Sequence, residues 1–164
     1  MGLALPDDER TTAFRGFVAI LQRDPTLKRI GMTFRAWTGS SNDGQEPAQA
    51  DLPWCQLTPY PEPSGWSPTG TLDTPMVVLC DVALDGTDVA DGMRVWRAIE
   101  IAIYGKHGDT AGQAASLAAL YAVGISSADM FLPAFGIDPH STASQVRMRS
   151  VGRFRLQLYV TAGG

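Results

Sequence analysis

The sequence predicts an α+β domain: a small, mostly antiparallel β-sheet packed with two or three helices, plus a long proline-rich excursion. Three observations predict it. Helical patterns gather near the start and middle of the chain and do not alternate regularly with strands, which argues against a doubly wound sheet. The run Thr74 to Leu84, "TPMVVLCDVAL", is almost continuously apolar and reads as a central strand. Period-two alternation runs from Gln145 to Val160, near the end of the chain. The chain of 164 residues suffices for one domain with a real core and is short for two. It is read as one domain, 1–164, with 39–75 a loop or insertion.

The first helix is expected from Asp7 to Arg23. Pro6 and the acids after it suit a helix start, and Phe14, Phe17, Val18 and Leu21 fall at helical spacing. Asp24-Pro25 stops it, because a residue before proline avoids helical geometry. Met32 to Thr38 alternates and is rich in β-formers, so a strand is predicted there. From Gly39 to Pro75 the composition changes: seven of the chain's 11 prolines lie here, with Trp54 and Trp66. "LPWCQLTPYP" offers a short strand from Trp54 to Leu57, and the rest reads as an excursion from the core. A surface loop is one reading. Two tryptophans and Tyr60 are costly to leave in water, which favours packing on the domain or on a neighbour.

The stretch "WRAIEIAIYGKHGDT", Trp96 to Thr110, has two readings. As a strand leading into a glycine loop it has the layout of a phosphate cradle, but neither strand face is clean. As a helix, Val89, Met93, Trp96, Ile99, Ile103 and Tyr104 share one arc, with Thr87 or Asp88 as cap. Gly92 disfavours the helix by ~1 kcal/mol, and Glu100 falls inside the apolar arc. The helix is the better fit. A second helix follows the break, capped by Asp109, ended by Gly124, with Ala114, Leu117, Leu120 and Tyr121 on one side. "SADMFLPAFGIDP" reads as a short strand or an apolar loop. The last segment is a long strand, or a hairpin bent at Gly152. Val146, Met148, Phe154, Leu156, Leu158 and Val160 face one way; Arg147, Arg149, Arg153, Arg155 and Gln157 face the other.

Catalytic signals are weak. Gly105-Lys106 is followed by His107, and five residues before Gly105 stands Glu100, so the Walker pattern fails at both ends. The two cysteines, Cys55 and Cys80, and the two histidines, His107 and His140, are dispersed along the chain, so no metal is expected. Asp85, Asp88 and Asp91 lack the alternation of a calcium loop, and helix-start electrostatics accounts for them. Nothing resembles Gly-x-Ser-x-Gly. No cofactor, no metal and no catalytic residues are expected. A small hydrolase or ligand-binding domain using His107 or His140 is kept as a lesser alternative.

Charged residues make up 18% of the chain, below the usual quarter, which is consistent with surface covered by partners. The net charge of −4 argues against sequence-specific nucleic-acid binding. No apolar run reaches the ~18 residues of a membrane span, so no membrane partner is expected. The opening "MGLALPDDERTTAF" lacks the features of a secretory signal, and a cytosolic origin with free thiols is expected. The arginine stripe is either a solvated strand face or a contact surface.

The order "MTFRAWTG", then "LPWCQLTP", "TPMVVLCDVALDGTD", "VADGMRVWRAIEIAIYG" and finally "GRFRLQLYV" resembles the tail terminator, or tail completion, proteins of long-tailed phages and gene transfer particles. The resemblance covers about Ile30 to Val160 and rests on element order, without one specific motif. It implies a structural virion protein made in the host cytoplasm and not an enzyme. Such proteins form a homo-oligomeric ring, commonly a hexamer. The ring caps the tail tube protein, joins it to a head completion or adaptor protein, and lets phage DNA pass its lumen without sequence-specific binding. Head completion and head–tail adaptor proteins are close competitors of similar size. Under this reading the contact candidates are Trp54, Tyr60, Trp66, Arg147, Arg149, Arg153 and Arg155.

Overall fold

A computed structural model describes residues 8–36, 48–139, 141–142 and 144–159, without the side chains of 132 and 133. Expectations about Pro6, Asp7, Trp37, Thr38, His140, Val160 and the insertion from 39 to 47 lie outside the described residues. Helix α1 spans Glu9–Arg23 and starts two residues later than the expected Asp7, because Asp8 is the cap. Its carboxylate accepts from the Thr11 amide at 2.7 Å, and that bond holds the Asp8 carboxyl below its usual range. Ala13, Phe14, Phe17, Val18 and Leu21 form the buried stripe. Asp24 ends α1 and caps a second, five-residue helix, α2 (Pro25–Arg29), accepting from the amides of Thr26 and Leu27. One residue thus serves as both stop and start.

The sheet has the order β1-β2-β4-β6-β5. Strand β1 is Thr33–Ala36, β2 Trp54–Pro61, β4 Leu72–Asp85, β5 Ile125–Ile137 and β6 Arg147–Leu158; the two-residue β3, Gly65–Trp66, pairs with the start of β4. Only β1 and β2 run parallel; the other pairs are antiparallel. The fold is therefore α+β with a mostly antiparallel mixed sheet, as the sequence predicts.

Two strands are longer than expected. The supposed excursion contains eight residues of sheet in β2, and its first four, Trp54 to Leu57, are buried between β1 and β4. The prolines misled the reading. The β1–β2 register ends at Leu57, so Pro59 and Pro61 fall where only β4 needs a partner among the described residues. Likewise "SADMFLPAFGIDP" belongs to the 13-residue edge strand β5, whose register shifts between Phe131 and Ala134, around Pro133. The closing segment is one strand, not a hairpin, and runs straight through Gly152.

Residues Val89–Tyr104 form helix α3, capped by Asp88. Gly92 belongs there for close packing: a Cβ on it would lie 2.6 Å from a ring carbon of Phe135 and 2.9 Å from Met148 Sδ. Glu100 pairs with Arg97 at 2.8 Å near the surface. The buried face is Gly92, Trp96, Ala98, Ile99 and Ile103; Val89 and Met93, expected on it, are exposed, because the face turned to the core at the start of the helix is centred on Gly92. Tyr104 donates to the carbonyl of Ala128, and burial pushes its hydroxyl up to about 12, so it stays neutral.

Helix α4 (Thr110–Ala122) buries only Leu120 fully. Of the expected face, Leu120 is the buried residue, whereas Leu117 and Tyr121 are exposed. Alanine and leucine occur on every side of this helix, so periodicity could not select the face that packs.

The helices form one layer on one face of the sheet. Phe17 of α1 meets Phe154 edge to face at 5.1 Å, and Trp96 of α3 donates to Ser150 Oγ at 2.8 Å. Strand alternation places Met76, Val78, Cys80, Val82, Phe154, Leu156 and Leu158 in that core. The Sγ atoms of Cys55 and Cys80 lie 3.4 Å apart, fully buried on neighbouring strands, as free thiols. The hydrogen bond with Cys55, then burial, push the Cys80 thiol well up. Both thiols are therefore expected to resist a soluble disulfide reagent in native protein and to react within the dead time once denaturant is added; fast native labelling would contradict this packing.

Candidate interaction surfaces

The second face of the sheet presents the odd-numbered residues of β4 and β6 and the even-numbered residues of β2. It divides into a sealed end and an open end, and the seven contact candidates fall on both.

At the sealed end, Trp54 is 1% exposed, so it is a core residue and not a contact candidate. It pairs across the sheet with small Ala83, which leaves room for the indole, and the Arg149 guanidinium lies 5.3 Å above the ring. Arg149 is fixed by Asp81 through two bonds of 2.6 and 2.8 Å and by Asp138 at 3.2 Å. Arg147 is 8% exposed and pairs with Asp138 at 3.5 Å. Arg147 and Arg149 therefore belong to an internal ion-pair network and are not open contact arginines. The stripe misled because the neutralising acids lie outside its own strand, Asp81 on β4 and Asp138 just past β5. Val146, expected to turn inward, is exposed just before β6.

At the open end, Arg153 is exposed, its guanidinium 4.5 Å from the Phe131 ring centre, and no carboxylate partners it among the described residues. Arg155 pairs with Glu62 at 3.2 Å with both side chains partly in water, a contact worth ~0–1 kcal/mol. Tyr60, Phe131 and Val151 are exposed beside them. A shallow groove of about 550 Å³ runs over Gln56, Thr58, Tyr60, Leu79, Asp81 and Val151. Gln56 Oε1 at its buried edge and the nearby Trp54 Nε1 have no hydrogen-bond partner among the described residues. Phe131 and Val151 were not found from sequence. Cross-strand register brings Phe131 to Arg153 and Val151 to Asp81, and no local pattern carries that register.

Beyond the sheet edge, β3 and the start of β4 make an arm. Trp66 lies opposite Leu72 on it, and the indole is 75% exposed. Arg10 of α1 holds the arm's base, donating to the carbonyls of Glu62 and Pro75 and to Ser64 Oγ.

The catalytic alternatives gain no geometry. No group of three or more His, Cys, Asp or Glu side chains converges among the described residues. The α4 amides that could have held an anion are capped by Asp109, which accepts from the Gly112 amide at 3.0 Å. No described helix is long and apolar enough to cross a membrane.

Fold and surface together define an α+β domain with one helix layer, a partly bare sheet face and an aromatic-tipped arm. No family model matches the sequence, and a search of curated proteins gave no match.

Proposed function

We propose that the chain is a structural joint protein of a phage-like particle, acting as a tail terminator in a homo-oligomeric ring, hexameric in the manner of that family. One ring face meets the last ring of tail tube protein and blocks further addition. The other presents a docking surface to a head completion or adaptor protein. The mechanism is geometric and needs no cofactor, metal or catalytic residue.

The observation that carries this reading is Trp66, an indole held largely in water on an arm outside the sheet, with no cover from the described residues. Exposed aromatics of this size are typical interface anchors. The open sheet end, with Tyr60, Phe131 and Val151 around Arg153 and Arg155, supports it as a second contact surface. Arg153, with no acid beside it among the described residues, suits a lumen wall that DNA passes without base contacts.

Native mass measurement tests the ring. The expected result is a discrete closed oligomer at tens of micromolar. A strict monomer that also fails to bind tail tubes would overturn the proposal. A ring that binds head particles and ignores tubes would move the chain to the head completion class.

A further inference from the structure

The arm has a counterpart on the same molecule. An apolar socket of about 230 Å³ opens at the other end of the sheet, lined by Thr87, Val89, Phe135, Gly136, Ile137 and Met148. Leu72 and Asp85 bound the 14-residue β4, so arm and socket stand roughly 40 Å apart at ~3.3 Å per residue. Both lie toward the helix side. Leu72 shares strand parity with buried Thr74 and Met76, and the socket is walled by Phe135 and Met148, which also contact Gly92 of α3.

We infer that the socket receives the Trp66–Leu72 arm of a second copy of this chain. Size supports it: an apolar cavity of about 150 Å³ holds benzene, so one of about 230 Å³ suits an indole. Exposure supports it on both sides, since Trp66 is 75% and Ile137 is 68% exposed. Charge supports it too. Asp88, between the socket residues Thr87 and Val89, accepts from the Ala90 amide and pairs with no cation among the described residues. Arg10 at the base of the arm donates to carbonyls and a hydroxyl; Asp8 lies near enough to feel its charge, but no ion pair is made to it among the described residues. Glu62 on the arm is already paired with Arg155, and Asp73 points to the opposite face from Leu72. Knob and hole at opposite ends of one chain make a heterologous contact, which repeats from copy to copy and closes into a ring when the rotation allows. The inference rests on the ring reading and specifies its contact.

The test uses Trp66→Ala, which removes the knob, and Ile137→Arg, which blocks the hole and sets a cation against Arg10. Both positions are exposed, so thermal midpoints should stay at the wild-type value. Each variant alone is expected to lose association by roughly 30-fold or more and run as a monomer in native mass spectrometry. An equimolar mixture keeps one intact arm and one intact socket, so it should give heterodimers and nothing larger. If both variants keep the wild-type oligomer, this contact is wrong while the ring stands. A mixture that stays monomeric also overturns it, and a monomeric wild type removes the ring itself.

Discussion

Arg149→Ala is expected to cost about 3–5 kcal/mol of folding stability, the range found when one partner of a buried ion pair is removed. Arg149 bonds both Asp81 oxygens, reaches Asp138, and covers the Trp54 ring. The Asp138 side chain is fully buried and is shared by Arg149 at 3.2 Å and Arg147 at 3.5 Å. Truncating Arg149 therefore leaves a buried carboxylate with weaker compensation and opens the indole to water. Urea denaturation measures this, with Arg153→Ala as the internal comparison. Arg153 is exposed and, among the described residues, stacks on Phe131 without an ion pair, so its loss should stay within ~1 kcal/mol. Equal effects at the two positions would contradict the division of the stripe into an internal and an open half.

Gly152→Ala should cost about 1–3 kcal/mol by overpacking. A Cβ there would sit 2.6 Å from Trp96 Cη2. The ring cannot slide away freely, because its Nε1 is tied to Ser150 Oγ at 2.8 Å. The near-ultraviolet circular dichroism of the tryptophans should change with the stability. Gly65→Ala, where an added Cβ meets nothing within 4 Å, should be nearly neutral.

These two sites also mark where the sequence was legible. The helix Val89–Tyr104 could be read because cap chemistry and helical angle agree locally. Gly92 looked like a fault in it, and is the point where helix meets sheet; only the Phe135 and Met148 contacts reveal that. The final strand was readable from its alternation. Gly152 looked like a bend, and is the flat spot on which Trp96 rests. Prolines caused the two largest misreadings: β2 tolerates Pro59 and Pro61 past the end of β1, and β5 takes Pro133 at a register shift on the sheet edge. A five-residue helix such as α2 is too short to show a period.

Among the contact candidates, residue type was legible and partnership was not. Trp54 and Trp66 look alike in a proline-rich segment. One is buried against Ala83 and Arg149, and the other stands on an arm outside the sheet. The four arginines alternate regularly, yet Asp81 and Asp138 draw two of them into the fold while Arg153 and Arg155 remain near water. Long-range register decides each case.

The central claim is that copies of this chain close into a ring that seats on the end of a tail tube. Electron microscopy of purified protein mixed with isolated tail tubes tests it most directly. The account predicts ring-shaped particles, with one ring capping one end of each tube and no further tube growth beyond it. Bare tube ends at saturating protein, with no rings in the background, would contradict it.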